Sequence, residues 1–438
     1  MSNKLKDFYD LDGEQPSVCI VGMGYVGLTL AISLCNFGFK VIGIESNPEI
    51  VSALTAGVTH VLEPDLEKGL QIALRDKLLI VKHPDELKSW HLNSEIFILT
   101  VGTPILNRRI NTSNLLAAVH SIEPFLKENS LIIVRSTVGI GTSRRLIFEP
   151  LLKRGLEVLV AMCPERTVEG KALEEIRNLP QIVGGVNRLS SEIAESFFHF
   201  VSSEVVVVDD AESAELIKLI NNSYRDLMFA FSNEVTEISN SFGLSARQVI
   251  KAANHNYPRS AISTPGPSGG PCLEKDPWIL YESAASVGVS ANIIKSARLM
   301  NENMIVDFLN ACLDESAQVN KATILGLAFK GFPETLDTRG SHVRQVCQYL
   351  KSLGIKNITG YEPAGVVGGL NDFLIESTDL ETSIIDSDLV IILTNSRAFL
   401  QIENSVWNSV NLGAQILDFW GVVSKENLRS DIKLRTWG

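Results

Sequence analysis

The segment "GPSGGPCLEKD" gathers a thiol, an amine and a carboxylate within five residues: Cys272, Lys275 and Asp276. The glycines before the cysteine can bring backbone close to a ligand, and "KDPWILYESAASVG" after it reads as the start of a helix. A cysteine at a helix N-terminus with a lysine nearby has its thiolate favoured. At the ordinary thiol pKa of about 8.5 only a few per cent is ionised near neutrality, so that setting points to a nucleophile. Cys19, Cys35, Cys163, Cys312 and Cys347 read instead as inert thiols. The six cysteines make neither a C-x-x-C pair nor a disulfide framework, which fits a reducing cytoplasm. The seven histidines make no metal-ligand pattern, and no metal is called for.

A second signal lies in "SVCIVGMGYVGLTLAISLCNFGF", Ser17 to Phe39, which holds no charged residue. Its length would suit a membrane span of about 20 residues. Its spelling predicts a dinucleotide turn. Gly22, Gly24 and Gly27 form G-x-G-x-x-G between a β-branched run, "VCIV", and a helical run that ends at Gly38. In such a turn the first glycine makes the bend, the second admits a pyrophosphate, and the third lets helix and strand pack closely. Glu45 ends the next strand-like run, where a carboxylate can bind ribose hydroxyls and repel a 2′-phosphate, so NAD is preferred over NADP. A nucleophilic thiol beside an NAD site suggests oxidation of an aldehyde through a thiohemiacetal and a thioester to an acid.

The elements that must position these groups follow from the alternation of apolar runs. With 438 residues, two or three domains are expected. From residue 17 to about 208, strand-like runs alternate with helical stretches, which predicts a mostly parallel sheet with functional loops at the carboxyl ends of its strands. "TVGTP", "RSTVGIGT" and "CPERTVEG" each follow such an end. Residues 211–243 carry apolar positions at three and four without proline or internal glycine, a long helix of the kind that pairs subunits. From Lys321 the alternation returns as a second, smaller α/β unit. Its first turn, "GLAFKG", lacks the third glycine and offers Lys330 instead. The net charge of −12 argues against a nucleic-acid partner. The polar N-terminus has no secretory core, and the remaining apolar runs are of strand length, so neither a signal peptide nor a membrane partner is expected.

Seven motifs in order, "GMGYVGL", "GTP", "RSTV", "PER", "KLINNSYRD", "GGPCLEKD" and "GLAFKGFPETLDTRGS", make the chain resemble the UDP-glucose/GDP-mannose dehydrogenase family over nearly its whole length. That family oxidises the C6 alcohol of a sugar nucleotide to a carboxylate with two NAD. The resemblance implies an α/β fold with an N-terminal Rossmann-like NAD domain (15–209), a central helical dimerisation domain (210–312) and a C-terminal Rossmann-like UDP-sugar domain (313–438). It makes Cys272 the nucleophile, Lys218 and Asn222 the stabilisers of the oxyanions, and Asp276 with Thr137 the holders of a water; Glu169 is a base for thioester hydrolysis. Residues four apart on a helix share a face, as Lys218 and Asn222 then must. Gly22, Gly24, Tyr25, Val26, Gly27, Glu45, Thr103, Thr137, Lys275 and Arg339 are implied to bind NAD. Glu165, Arg166, Lys218, Asn222, Arg259 and Lys330 are implied to bind the UDP-sugar, with Arg259 serving a neighbouring subunit's site in a homodimer.

Two departures from the family pattern stand out. "STVGIGT" lacks the prolines common after "STV", which predicts a looser loop, and the glycine loop before Cys272 is compact. "CPERTVEGKALEEIRNLPQIVGG" and "NYPRSAISTPGP" look more like the N-acetylhexosamine branch, and UDP-N-acetylmannosamine is the expected sugar, with UDP-glucose the main alternative. Surface polysaccharide synthesis is the implied context. Rival readings are a two-electron hydroxyacid dehydrogenase, which would not need Cys272, and a noncatalytic NAD-binding regulator, which would need neither Cys272 nor Lys218. Trp90, Trp278, Trp407, Trp420 and Trp437 are assigned to core or interface packing.

Overall fold

The computed structural model describes residues 17–89, 93–313 and 319–438. Trp90, the first residues of the expected NAD domain (15–16) and residues 314–318 of the expected third domain lie outside the described residues. The chain divides into two units, one running up to Asn221 and including Trp278–Val289, the other comprising Asn222–Pro277 and Ser290–Gly438.

The first unit is built on strands β1 (Val18–Val21), β2 (Val41–Ile44), β3 (Leu79–Lys82), β4 (Ile96–Leu99), β5 (Leu131–Val134), β6 (Leu159–Met162), β7 (Gln181–Gly185) and β8 (Val205–Val207). They lie in the order β8-β7-β6-β5-β4-β1-β2-β3, all pairs parallel except β6 with β7. Val18 and Ile20 enter one apolar core and Cys19 and Val21 the other, and β4 and β5 divide in the same way. Both faces are therefore covered, which is why these strands read as unbroken apolar runs. Helix α1 (Tyr25–Asn36) packs on one face with Gly27 to Cys35 buried. The uncharged stretch from Ser17 to Phe39 is thus dry because it supplies a central strand and a covered helix. No helix among the described residues is long and apolar enough to cross a membrane.

Helix α2 (Ala211–Ser241) begins in the first unit and ends in the second. Its early turns grip the "STVGIGT" loop. Glu215 accepts the N–H groups of Gly141 at 2.5 Å and Ser143 at 2.8 Å, and Glu212 pairs with Arg144 at 2.7 Å. The Ile140 N–H donates to Ser283 Oγ at 3.2 Å. The loop expected to be loose for want of prolines is held by side chains instead.

The second unit carries β9 (Lys321–Leu325), β10 (Asn357–Tyr361), β11 (Ile375–Ser377), β12 (Leu389–Ile392), β13 (Gln415–Asp418) and β14 (Lys433–Thr436). These form an all-parallel sheet in the order β11-β10-β9-β12-β13-β14. Read from β3 through β6 and from β11 through β14, both sheets have the doubly wound 3-2-1-4-5-6 order. Helices α3 (Ala246–Asn254), α4 (Asp276–Ser286, of which only the first two residues belong here), α5 (Asn292–Cys312) and α6 (Val343–Ser352) complete the elements used below. Sequence patterning missed the edge strands β11 and β14. Both are short, and β14, "KLRT", is largely exposed, so it lacks the apolar signal of its covered neighbours. It also missed the hairpin Ile105–Leu106 with Arg109–Ile110, whose turn places Asn107 and Arg108 at positive φ without a glycine to announce it. Trp278, Trp407 and Trp437 are buried, in keeping with core packing, while half-buried Trp420 donates to the Leu393 carbonyl at 2.8 Å.

A buried polar cluster in the second unit holds the segment that leads to Cys272. Arg298 donates to Asp226 at 2.7 Å and to the Leu273 carbonyl at 2.8 Å, and Asn301 donates to the same carboxylate at 2.9 Å. Asn233 bonds both the carbonyl and the N–H of Gly266, at 3.2 and 2.9 Å. Burial pushes the Asp226 carboxyl up while Arg298 pulls it back. Replacing Arg298 with leucine leaves a buried carboxylate without its cation and should cost about 3–5 kcal/mol. Urea midpoints of the two chains measure this, and an unchanged midpoint would rule it out.

Glu215 gives a second prediction. Burial pushes its carboxyl up to about 7 against the pull of the two amide donors. A carboxyl raised on folding stabilises the fold while it stays protonated, and that contribution fades as pH climbs from the unfolded value of about 4.5 through 7. Wild type should therefore lose about 2–3 kcal/mol more than Glu215→Gln between pH 5 and pH 8. Parallel pH profiles of the unfolding free energy would contradict it.

Candidate active site

The first unit assembles its site at the switch point between β1 and β4. Gly22 has φ +96° and donates to the Ile44 carbonyl at 2.8 Å; a Cβ on it would lie 3.1 Å from the Thr100 backbone. A Cβ on Gly27 would lie 1.9 Å from the Gly22 oxygen, so α1 can approach β1 only through a glycine there. Gly24 differs, since a Cβ there would meet nothing within 4 Å and no side chain caps the helix it begins. Tyr25 and Val26 open α1 beside it. Uncapped helix N–H groups beneath open space are the donor set a pyrophosphate requires, so the turn fits a dinucleotide. Glu45 lies beside the turn, accepting the Met23 N–H through one oxygen and the Asn47 N–H through the other, each at 2.9 Å. Thr103 after β4 and Thr137 after β5 meet directly, the Thr103 hydroxyl donating to the Thr137 carbonyl at 2.6 Å.

The "PERTVEG" loop after β6 is shaped by carboxylates. Glu165 takes the N–H groups of Arg166 at 2.7 Å and Thr167 at 2.8 Å, while Glu175 takes that of Val168 at 2.7 Å. The other Glu165 oxygen is paired with fully buried Arg135 at 2.6 Å. Burial opposes its charge, but Arg135, the loop amide and Lys218 outweigh this and hold the carboxyl below its usual range. Lys218, on α2 in this unit, is itself buried. Glu169 is partly exposed in the same loop.

In the second unit, Cys272 is exposed in a tight turn one turn ahead of α4. Its carbonyl accepts the N–H groups of Lys275 at 3.2 Å and Asp276 at 2.9 Å. Asp276 is fully buried, receiving the Asn222 amide at 2.5 Å and the Lys275 ammonium at 2.7 Å. Lys275 was expected to favour the Cys272 thiolate; its ammonium pairs with Asp276 and so supplies the cation that a buried carboxylate needs. The glycines before Cys272 were expected to admit a ligand. A Cβ on Gly269 would lie 2.5 Å from the Gly340 oxygen and one on Gly270 2.5 Å from the Phe329 ring. They are small because they pack against the "GLAFKG" and "TRGS" segments, and Gly270 also donates to the Gly340 carbonyl at 2.9 Å.

Arg339, in that last segment, pairs with Asp337 at 2.5 Å. Lys330 lies over the Phe329 ring at 5.4 Å, and Arg259 over Tyr257 at 4.9 Å on a separate loop. Burial pushes the other thiols up, to about 12 for Cys35 and Cys163 and about 11 for Cys312 and Cys347. Sequence reasoning did not single out Glu63, Arg135, Glu215, Asp226 or Arg298. Arg135 was the most accessible of them, since a charge directly after the apolar run "LIIV" enters a covered sheet.

Known proteins share this organisation. Residues 16–202, 212–303 and 323–425 match the NAD binding, central and UDP binding domains of the UDP-glucose/GDP-mannose dehydrogenase family. A UDP-N-acetyl-D-mannosamine dehydrogenase of Methanococcus vannielii is 33% identical over 392 residues, 87% of this chain and 86% of its own. The structure of UDP-D-ManNAc dehydrogenase from Pyrococcus horikoshii superposes with a TM-score of 0.83 at 26% identity, covering 96% of this chain and 98% of that one. The UDP-N-acetyl-mannosamine dehydrogenase Cap5O of Staphylococcus aureus gives 0.82 at 29% identity over the same shares. With matches to all three domains and a relative one-third identical over most of its length, the chain belongs to the UDP-glucose/GDP-mannose dehydrogenase family and is an NAD-dependent nucleotide-sugar dehydrogenase.

Proposed function

We propose that this protein oxidises the C6 alcohol of a UDP-N-acetylhexosamine, UDP-N-acetyl-D-mannosamine by preference, to the uronate for surface polysaccharide synthesis in the cytoplasm. The observation that supports this most is the Cys272 turn, tied through its carbonyl to an Asp276 that Asn222 and Lys275 hold buried. The relatives named above support the choice of sugar. Residues 15–209 serve as the NAD domain, 210–312 as the helical dimerisation domain and 313–438 as the UDP-sugar domain.

Gly22, Gly24, Tyr25, Val26, Gly27 and Glu45 would hold the adenosine diphosphate of NAD, and Thr103, Thr137, Lys275 and Arg339 are further residues assigned to the cofactor. NAD, when bound, would supply the hydride acceptor for each oxidation, one NAD for alcohol to aldehyde and a second for thiohemiacetal to thioester. Cys272 Sγ adds to the aldehyde carbon, forming the C–S bond and leaving a tetrahedral oxyanion. The Lys218 ammonium and the Asn222 amide stabilise that oxyanion, a role that strengthens as charge develops. Asp276 and Thr137 hold the hydrolytic water and Glu169 takes its proton; C–S cleavage then returns the thiolate and releases the acid. Arg166, Arg259, Lys330 and Glu165 hold the UDP-sugar.

Wild type should release two NADH per sugar nucleotide, and Cys272→Ser should lose at least about a thousandfold in kcat, since hydrolysis through a thioester is closed to it. A panel of UDP-sugars and GDP-mannose followed by absorbance measures both. One NADH per sugar with an active serine variant would point to a hydroxyacid-type reaction, none at all to an NAD-binding regulator, and preference for UDP-glucose would correct the sugar.

We also propose a homodimer through α2. Tyr224, Phe231, Ile238 and Phe242, the last just past the helix end, recur at seven, seven and four residues and are all more than half exposed. Such a stripe is covered most simply by a second copy of itself. Phe231→Glu combined with Ile238→Glu should yield a monomer by light scattering, with activity falling if Arg259 acts in the partner's site. A dimer that survives both charges would exclude this face.

A further inference from the structure

Glu63 lies in the link before the helix Leu66–Arg75, and it is buried although no sequence motif marks it. One of its oxygens accepts the Tyr25 hydroxyl and also the Gly170 N–H, the latter at 2.7 Å. The Gly170 N–H is shared with the Tyr25 oxygen at 3.1 Å, and the Tyr25 hydroxyl also approaches the Val168 carbonyl at 3.4 Å. The other Glu63 oxygen is 3.4 Å from the Leu173 N–H. Tyr25 is the first residue of α1, directly after Gly24. Gly170, at φ +91°, closes the "PERTVEG" loop.

The turn beside open space and the loop that carries Glu165 and Glu169 therefore meet at one carboxylate, across 145 residues of sequence. Burial and the Glu63 charge push the Tyr25 hydroxyl above its usual range, so it stays a proton donor at any working pH. With Arg166, Thr167 and Val168 satisfied by Glu165 and Glu175, Glu63 supplies the acceptor at the far end of the loop.

We propose that Glu63 is a positioning residue that couples the glycine turn to the "PERTVEG" loop, so that filling the turn and setting the loop are linked events. This rests on reading the turn as the NAD site and the loop as part of the sugar site. A contact at the first residue of α1 shifts Tyr25, and a shift of Tyr25 either keeps or breaks the bridge to Gly170. Hydrogen bonds to a carboxylate are stronger than neutral ones, and a buried acceptor left unmet is costly, so the link transmits small movements.

The test is hydrogen exchange of the full chain, which needs no turnover. Tyr25→Phe removes only the hydroxyl and should speed exchange of the 166–173 amides by roughly tenfold, as expected for weakening one charge-assisted bond. Unchanged exchange there overturns the proposal, whatever the enzyme's activity. Glu63→Ala should act in the same way and raise the KM values for NAD and UDP-sugar together, while Glu63→Gln, which keeps an acceptor, should restore both to within about threefold. A loss of kcat in Glu63→Ala with both KM values intact would mark a merely structural role and also overturn it. Saturating NAD should slow exchange of 166–173 in wild type but not in Tyr25→Phe. If calorimetry finds no NAD bound to wild type, the cofactor reading fails, and the exchange comparison without ligand still decides the link.

Discussion

Asp276 has no solvent-exposed surface, yet it carries a carboxylate at the start of a helix. A buried carboxylate is tolerated only where N–H donors or a cation meet it, and this chain uses that requirement repeatedly to shape loops. Asn222 and Lys275 converge on Asp276, Arg135 on Glu165, Arg298 and Asn301 on Asp226, and two loop amides on Glu215. In each case the acid lies in or beside a segment that sequence motifs single out, and at least one of its partners comes from a distant part of the chain. The loops are ordered by what the acids need.

The two sheets share one strand order and use it differently. In the first, the turn after β1 leaves Gly24 open to a ligand, while Gly22 and Gly27 are closed by Thr100 and by the turn itself. In the second, the turn after β9 is shut. A Cβ on Gly326 would meet Thr394 Oγ1 at 2.1 Å, and one on Gly331 the Ser396 N–H nitrogen at 2.2 Å. The same topology thus presents bare helix N–H groups in one unit and a lysine, Lys330, in the other. The two turns differ in which glycines face empty space.

At the Cys272 turn a local reading and the packing give the glycines different physical reasons. Its glycines read as ligand-facing because glycine permits close approach, but the close approach is to Gly340 and Phe329. Lys275 read as a partner of the thiol because it is near in sequence, and in the fold its ammonium also pairs with buried Asp276. The five other thiols are raised by burial, as an inert setting requires.

The order of residues was enough to specify the covered strands, α1 and α2, the doubly wound class and the family, because apolar periodicity and glycine spacing are local and survive without knowledge of neighbours. Exposed edge strands and the Asn107–Arg108 turn escaped because their signals are weak in composition. The positions of Glu63, Arg135, Glu215 and Asp226 were decided only by folding. A carboxylate or guanidinium in a sequence looks like surface, and whether it is buried depends on partners far along the chain, 30 residues away for Arg135 and Glu165 and 107 for Glu63 and Gly170. Burial of a charge is a property of the pair, and the pair exists only in three dimensions.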